Sequence, residues 1–66
     1  MDIGPIIRQA RESKGWSQDQ LAERVGVGRP HISRLEAGAR EPTVALLSKL
    51  LKVLELDPRS VFHPAA

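Results

Sequence analysis

Apolar residues recur every three or four positions along most of this chain, which is the spacing of one buried face of an α-helix. No segment alternates apolar and polar residues in the twofold pattern of a half-buried strand. Glycine, proline and helix-capping residues divide the pattern into five segments. We therefore predict an all-α fold, a compact five-helix bundle, with helices over about residues 4–14, 17–25, 29–37, 43–54 and, as a short last element, from 57 onward.

The start of the second predicted helix carries the most complete capping signal. Ser17 stands where an N-cap accepts a backbone N–H, and Gln20 completes a capping box. Gly26 follows this helix at a tight turn that needs a positive φ, which glycine adopts without a Cβ penalty. Thr43 and Asp57 have N-cap chemistry for the last two helices. These signals predict where the helices begin and where the chain turns.

The segments on either side of Gly26 form two short helices joined by a tight turn, which is the geometry of a helix-turn-helix motif. Aliphatic residues occupy the positions that this crossing buries, and Ala22 lets the two helices approach closely. These positions are Leu21, Ala22, Val25, Val27, Ile32 and Leu35. A generic helical hairpin is the alternative, but it would not require all of these positions together. We therefore predict a helix-turn-helix.

Three parts of the sequence together resemble the lambda-repressor-like family, also called the XRE family. They are WSQDQLAERVGV at 16–27, ISRLEAG at 32–38, and Pro42. The resemblance implies five helices, DNA binding as a dimer, and a third helix that lies in the major groove, as in the phage repressors of this family. The third helix, over about 29–37, would then be the recognition helix.

The likeness extends from Ile7 to Phe62, so we interpret residues 1–66 as a single helix-turn-helix DNA-binding domain. Gly28 and Pro30 depart from the family, which usually has Ser or Thr at the N-cap of the third helix. Glycine costs little relative to serine at an N-cap. The departure does remove a hydroxyl that could contact DNA.

The outward face of the third helix holds the side chains that would reach base edges. Because a helix advances about 100° per residue, Ile32, Leu35 and Glu36 point inward and leave an outward arc. The residues expected to read bases are Arg29, Pro30, Ser33 and Arg34. Arg34 lies almost opposite the core, and its guanidinium fork matches the O6 and N7 acceptors of guanine. For Arg29 and Arg34, a solvated surface arginine is the alternative.

A second group of polar residues is expected to contact the DNA backbone, which positions a domain without reading sequence. They are Ser17, Gln18, His31, Arg40 and Lys14. The first N–H groups of a helix attract anions, which favours Ser17 and Gln18, and the resemblance implies that Gln18 grips a phosphate. For His31 three interpretations stand: a base contact, a phosphate contact and a plain surface residue. The other cations are interpreted as solvated surface: Arg8, Arg24, Lys49, Lys52 and Arg59.

The resemblance also implies a structural ion pair. In the XRE family an arginine of the first helix pairs with the glutamate that ends the third helix, and Arg11 and Glu36 occupy those places. We expect this salt bridge to hold the recognition helix in position. It has no catalytic role in this interpretation.

The fourth helix carries two apolar rows, whereas a surface helix needs only one. Enclosure by the bundle on two sides explains such a wide stripe. An apolar patch for a second subunit explains it as well, and the two explanations can hold together. The residues predicted for a dimer patch lie toward the end of the sequence: Val53, Leu56, Val61 and Phe62.

Composition argues against several other classes of protein. The chain has no cysteine, hence no disulfide and no thiolate metal site, and its two histidines stand far apart. We therefore predict no enzyme activity, no metal and no cofactor. No apolar stretch is long enough to span a membrane, and no signal peptide is recognisable, which predicts a cytoplasmic protein. The net charge of +2 permits a nucleic-acid partner without requiring one.

The sequence therefore predicts a sequence-specific DNA-binding transcriptional regulator, and more narrowly a repressor. Its expected partners are double-stranded DNA with a pseudo-palindromic operator and, in a weak homodimer, a second copy of the chain. The alternative is an antitoxin that binds a toxin protein as well as its own operator, because residues 45–56 resemble several antitoxins of this superfamily. Most such antitoxins carry an additional toxin-binding segment, for which 64–66 is too short.

Overall fold

Four helices and one final helical turn make up the part of the chain that the computed structural model describes, residues 3–61, with side chains described through Arg59. The elements are α1 (Gly4–Ser13), α2 (Gln18–Val25), α3 (Arg29–Glu36), α4 (Val44–Val53) and α5 (Pro58–Val61). No strand occurs between residues 3 and 61. The all-helical class predicted from the hydrophobic pattern is therefore confirmed.

The predicted five-helix bundle needs a correction at its last element. α5 spans only four residues, so it is one helical turn rather than a fifth helix. Asp57 holds its start, because Asp57 Oδ1 accepts the N–H of Arg59 at 2.9 Å. A single turn fixes several backbone dihedrals for very few hydrogen bonds, so such a segment depends on local caps. Over the described residues, the bundle proper consists of α1 to α4.

Aliphatic side chains from all four helices form one core. Its buried members are Ile7, Leu21, Ala22, Val25, Ile32, Leu35, Leu46, Leu50 and Leu54. α2 packs against both α3 and α4, and α1 packs against α3. Burial of one such Leu or Ile side chain contributes about 1.5–3 kcal/mol, so this contiguous cluster is what holds α3 on the rest of the domain.

The two apolar rows of α4 have different environments. Leu46 and Leu50 are buried, Leu47 and Leu51 are half-buried, and Val44 at the start of the helix is 84% exposed. The bundle therefore encloses Leu46 and Leu50, whereas the row that begins at Val44 becomes fully buried only at Leu54, just after the helix ends. Enclosure by the bundle accounts for much of the wide stripe.

The predicted dimer patch is less exposed than the sequence suggested. Val53 and Leu56 are half-buried and pack against the core. The side chain of Val61 and the whole of Phe62 lie outside the described residues. The patch stays a prediction for those two residues.

The ends of α1, α3 and α4 share one motif, in which the residue after the C-cap takes a left-handed conformation. This residue is Gly15 in α1 (φ 72°) and Gly38 in α3 (φ 77°), but it is Glu55 in α4 (φ 56°). The N–H of Glu55 donates to the Lys52 carbonyl oxygen at 3.2 Å. Its carboxylate lies 3.2 Å from Lys14 Nζ. At the end of α4, a glutamate therefore takes the left-handed conformation that glycine takes at the ends of α1 and α3.

We expect Glu55→Gly to raise the free energy of unfolding by about 0.5–1 kcal/mol. Glycine relieves the left-handed strain, which costs an L-residue about 1–2 kcal/mol, although it also adds freedom to the unfolded chain. The lost ion pair matters little, because the Glu55 side chain is 79% exposed. Thermal unfolding measured by circular dichroism gives the effect. The control is Glu55→Ala, which removes the ion pair and keeps the strain, and equal stabilities of the two variants would contradict this account.

Candidate nucleic-acid interface

The turn between α2 and α3 sets the angle between the two helices. Gly26 ends α2 in a left-handed conformation, with φ 79° and ψ 30°. The N–H groups of Gly26 and Val27 both donate to the Ala22 carbonyl oxygen, at 2.9 and 3.0 Å. Gly28 is extended, with φ −80° and ψ 155°, and serves as the N-cap of α3. Two helices joined in this way form the predicted helix-turn-helix geometry.

The N-terminus of α2 is closed by the predicted capping box. Ser17 Oγ accepts the N–H of Gln20 at 3.1 Å, and Gln20 Oε1 accepts the N–H of Ser17 at 2.7 Å. Within the described residues, the N–H groups of Gln18 and Asp19 have no protein acceptor. The Ser17 hydroxyl accepts in the box, so its own hydrogen is still available to a ligand. This end of α2 therefore presents several donors in one direction.

The outward face of α3 is exposed as its helical spacing predicted. Ile32 and Leu35 are 0% and 1% exposed. The exposed residues on the opposite side are Arg29, Pro30, Ser33, Arg34 and Ala37, and His31 is half-buried. The guanidinium groups of Arg29, Arg34 and the loop residue Arg40 form no ion pair or hydrogen bond with any described residue. Three guanidinium groups thus stand free to bind an anion or an acceptor on a base.

One cleft brings α3 together with the start of α2. It is lined by Arg8, Arg11, Gln18, Ser33, Glu36 and Ala37. Ser33, a base-reading candidate, and Gln18, a backbone candidate, therefore share one concave surface. Arg8 was interpreted as solvated surface, yet it lines the same cleft, with its side chain 64% exposed and 3.5 Å from Glu12.

An ion pair forms the floor of this cleft. Arg11 Nε donates to Glu36 Oε2 at 2.7 Å, and Arg11 Nη2 donates to Glu36 Oε1 at 3.0 Å. The two side chains are 10% and 4% exposed. The hydrogen bond to the Glu36 carboxylate raises the pKa of Arg11 above its ordinary value, against the opposing effect of burial. The pair therefore keeps Arg11 in its charged form.

A model of the helix-turn-helix family matches residues 7–61 of this chain. That span includes the turn, both helices of the motif, and the helices packed against them. The chain belongs to the XRE-type helix-turn-helix family. The family predicted from the residues at 16–27, 32–38 and Pro42 is confirmed.

Several XRE-type relatives are named as regulators of transcription. The chain is 41% identical over 59 residues to an HTH-type transcriptional regulator of Mycobacterium tuberculosis, covering 89% of this chain and 42% of the relative. It is 39% identical over 61 residues to SlrR of Bacillus subtilis, covering 91% and 40%. It is 36% identical over 62 residues to the competence pilus inhibition repressor of Acinetobacter baylyi, covering 94% and 56%. The chain spans about half the length of these relatives.

Two features of this XRE-type chain were not predicted from sequence. Arg11 Nη1 donates to the Trp16 carbonyl oxygen at 2.7 Å, which ties the loop before α2 to α1. Gln18 Nε2 donates to Glu36 Oε1 at 3.2 Å, which ties α2 to α3. The residues of the second bond are 18 positions apart, and no helical spacing connects them.

Gly4 is a third unpredicted feature. A Cβ at this position would lie 2.5 Å from the Glu36 carbonyl oxygen and 2.7 Å from that of Leu35. The first residue of α1 therefore packs directly on the C-terminal end of α3, as only glycine can at this distance. The sequence does carry one sign of this close contact: glycine is the first residue of the helix, although most other residues favour a helix more.

Lys14 and His31 are not joined to the cleft. Lys14 Nζ lies 3.2 Å from the Glu55 carboxylate and 5.5 Å from the centre of the Trp16 ring, which directs it to the end of α4. His31 lines a different and more apolar groove beside the turn, together with Val27, Leu46 and Lys49. Arg24 was predicted to be solvated, and its guanidinium carbon lies 4.2 Å from the centre of the Trp16 ring.

The described residues contain no group of three or more His, Asp or Glu that could hold a metal ion. None of the helices in the same part of the chain is long and apolar enough to cross a membrane.

Proposed function

We propose that this chain binds double-stranded DNA sequence-specifically and regulates transcription, with α3 in the major groove. The observation that carries the proposal is the exposed face of α3, with the unpaired guanidinium groups of Arg29 and Arg34, beside the N-terminus of α2. The regulators named above support it, and the relative named as a repressor favours repression. No contact among the described residues favours the antitoxin alternative.

In this proposal the bases are read from the N-terminal half and the outward face of α3. Arg34 and Arg29 are long enough to reach guanine O6 and N7 in a bidentate contact. Ser33 donates or accepts over a shorter range, and Pro30 packs against the groove floor. A major groove of about 12 Å accepts one helix, so these few side chains define a single half-site.

The DNA backbone is held from two sides of α3. Ser17 and Gln18 donate from the N-terminus of α2, where free N–H groups attract a phosphate, and Arg40 binds the backbone from the loop after α3. Lys14 is the weakest member of this set, because its ammonium group lies 3.2 Å from the Glu55 carboxylate. His31 stays in the set as a backbone contact at the first turn of α3.

Selection of bound sequences from a random duplex pool tests the proposed function. The expected result is one enriched motif, because base-edge contacts distinguish all four base pairs in the major groove. The same chain is then titrated with the enriched duplex and with a scrambled one, using the fluorescence of Trp16, the only tryptophan in the sequence. Equal affinity for the two duplexes at the same salt concentration would reject sequence-specific binding.

Arg34→Ala should weaken binding to the selected duplex by about 1–3 kcal/mol and relax the preference at one base pair. Binding to scrambled DNA should fall much less, because a base contact adds little there. The matched variant is Arg40→Ala, which should weaken binding to all sequences and flatten the salt dependence by about one counterion. If Arg34→Ala reduced binding to both duplexes equally, Arg34 would be a backbone contact.

We further propose that two copies bind one operator. A single recognition helix contacts too few base pairs to find a unique site among the competing sites of a genome. A twofold dimer presents two recognition helices, which bind half-sites about 34–36 Å apart along the duplex. Sedimentation of the chain with duplexes that carry one or two half-sites measures the stoichiometry. We expect two chains on the longer duplex, and strict one-to-one binding there would exclude the dimer.

A further inference from the structure

One side-chain hydrogen bond joins the first residue of α2 to the last residue of α3, the two helices of the proposed interface. Gln18 is the first residue of α2 and Glu36 is the last residue of α3. Gln18 Nε2 donates to Glu36 Oε1 at 3.2 Å. A carboxamide nitrogen carries two N–H donors, and a carboxylate can only accept. The nitrogen of Gln18 must therefore face Glu36, and its second N–H is left for another acceptor.

The acceptor in this bond is itself held in place. Glu36 accepts two hydrogen bonds from Arg11, at 2.7 and 3.0 Å, and its side chain is 4% exposed. Arg11 is fixed in turn by the bond from its Nη1 to the Trp16 carbonyl oxygen. A bidentate arginine–carboxylate pair fixes the plane of both groups. Gln18 is thus bonded to a carboxylate whose orientation is already determined.

Charge makes the arrangement compatible with DNA. An unpaired carboxylate in this cleft would repel a phosphate backbone. The Arg11 guanidinium neutralises it, so Glu36 can orient Gln18 without a net negative charge. A glutamine side chain also loses considerable rotamer freedom when it binds, and a side chain oriented beforehand loses less of it on binding.

We propose that Glu36 is a positioning residue for Gln18: it holds the carboxamide by one N–H so that the other N–H donates to a DNA phosphate. The contact to phosphate then depends on where α3 ends, which couples the backbone grip of α2 to the placement of the recognition helix. This inference rests on the proposed function, because it needs the backbone contact of Gln18.

The free protein offers a first test. The chain contains three glutamines, Gln9, Gln18 and Gln20, and no asparagine, so each side-chain NH₂ signal can be assigned by NMR. We expect the two Gln18 amide protons to differ more in shift, and to exchange with solvent more slowly, than those of exposed Gln9. Gln18 signals that match those of Gln9 would overturn the inference.

The second test is a mutant cycle in DNA binding. Glu36→Ala alone is expected to lower the stability of the fold strongly, so the pair is removed as Arg11→Met with Glu36→Leu, an apolar replacement of the kind that keeps a fold intact. Gln18→Met, which has similar length and no donor, is made in both backgrounds, with Gln9→Met as the control. Affinity is measured at low salt on a duplex of about 20 base pairs of arbitrary sequence, because phosphate contacts do not depend on sequence.

We expect Gln18→Met to weaken binding about tenfold in the natural background, which is the worth of one hydrogen bond to a charged group. In the background that carries Arg11→Met and Glu36→Leu, Gln18→Met should weaken binding about twofold or less. If Glu36 acted on stability alone, Gln18→Met would reduce DNA affinity equally in the two backgrounds. That result would overturn this inference and leave the proposed function standing. Failure of the unmodified chain to bind the duplex would overturn both.

Discussion

Glu36→Ala will lower the free energy of unfolding by about 3–5 kcal/mol, the cost of leaving one partner of a buried ion pair unpaired. The Arg11 and Glu36 side chains are 10% and 4% exposed, with atoms 2.7 Å apart. A domain of this size has about 3–10 kcal/mol of total stability, so the variant should be partly unfolded at 37 °C. Urea denaturation near about 15 °C, close to maximum stability, keeps the loss measurable through Trp16 fluorescence.

Glu12→Ala is the matched control for this prediction. It breaks an exposed ion pair within α1, the helix that carries Arg11: Arg8 with Glu12, whose side chains are 64% and 55% exposed. An exposed pair of this kind contributes less than about 1 kcal/mol.

A double-mutant cycle of Arg11→Ala and Glu36→Ala measures the coupling of the buried pair. The stability lost in the double variant should be smaller than the sum of the losses in the two single variants. Strict additivity would mean that the two groups do not stabilise each other.

Gly4→Ala will destabilise the fold by about 1–3 kcal/mol, the usual cost of forcing extra volume into a packed contact. Its Cβ would lie 2.5 Å from one carbonyl oxygen at the end of α3 and 2.7 Å from another. Backbone atoms cannot turn aside as a flexible side chain can, so α1 or α3 must shift. Affinity for the selected duplex should fall as well, because α3, which is proposed to enter the major groove, is one of the two helices that can move.

Gly28→Ala separates this steric effect from the general cost of replacing a glycine. Its Cβ would lie 3.5 Å from Pro30 Cδ, an ordinary contact, at φ −80°. Only the N-cap preference is lost there, at under about 1 kcal/mol. Urea denaturation of both variants measures the difference. If Gly4→Ala were no more destabilising than Gly28→Ala, the close approach of α1 to α3 would be wrong.

The features predicted well from sequence depend on residues close together in the chain. The capping box needs only Ser17 and Gln20, and the turn needs only the left-handed glycine at position 26. The exposed arc of α3 follows from helical periodicity, with Ile32 as its buried reference. In each case the physical cause acts within one or two helical turns.

The features that sequence reasoning missed depend on contacts between distant segments. The bond from Gln18 to Glu36 spans 18 positions, and that from Lys14 to Glu55 spans 41. Both depend on side-chain rotamers after packing, which periodicity does not determine. The close approach at Gly4 likewise exists only once α1 has docked on α3. The pairing of Arg11 with Glu36 was expected from family resemblance, since no spacing rule connects those two residues.

The proposed function requires that α3 and the start of α2 together form one DNA-binding surface. NMR titration of the isotope-labelled chain with the selected duplex shows which residues contact DNA. The largest backbone shift changes are expected at residues 17–19 and on the outward positions of α3, with the middle of α4 little affected. Changes centred on α4 near Val44, or equal changes with a scrambled duplex, would contradict it.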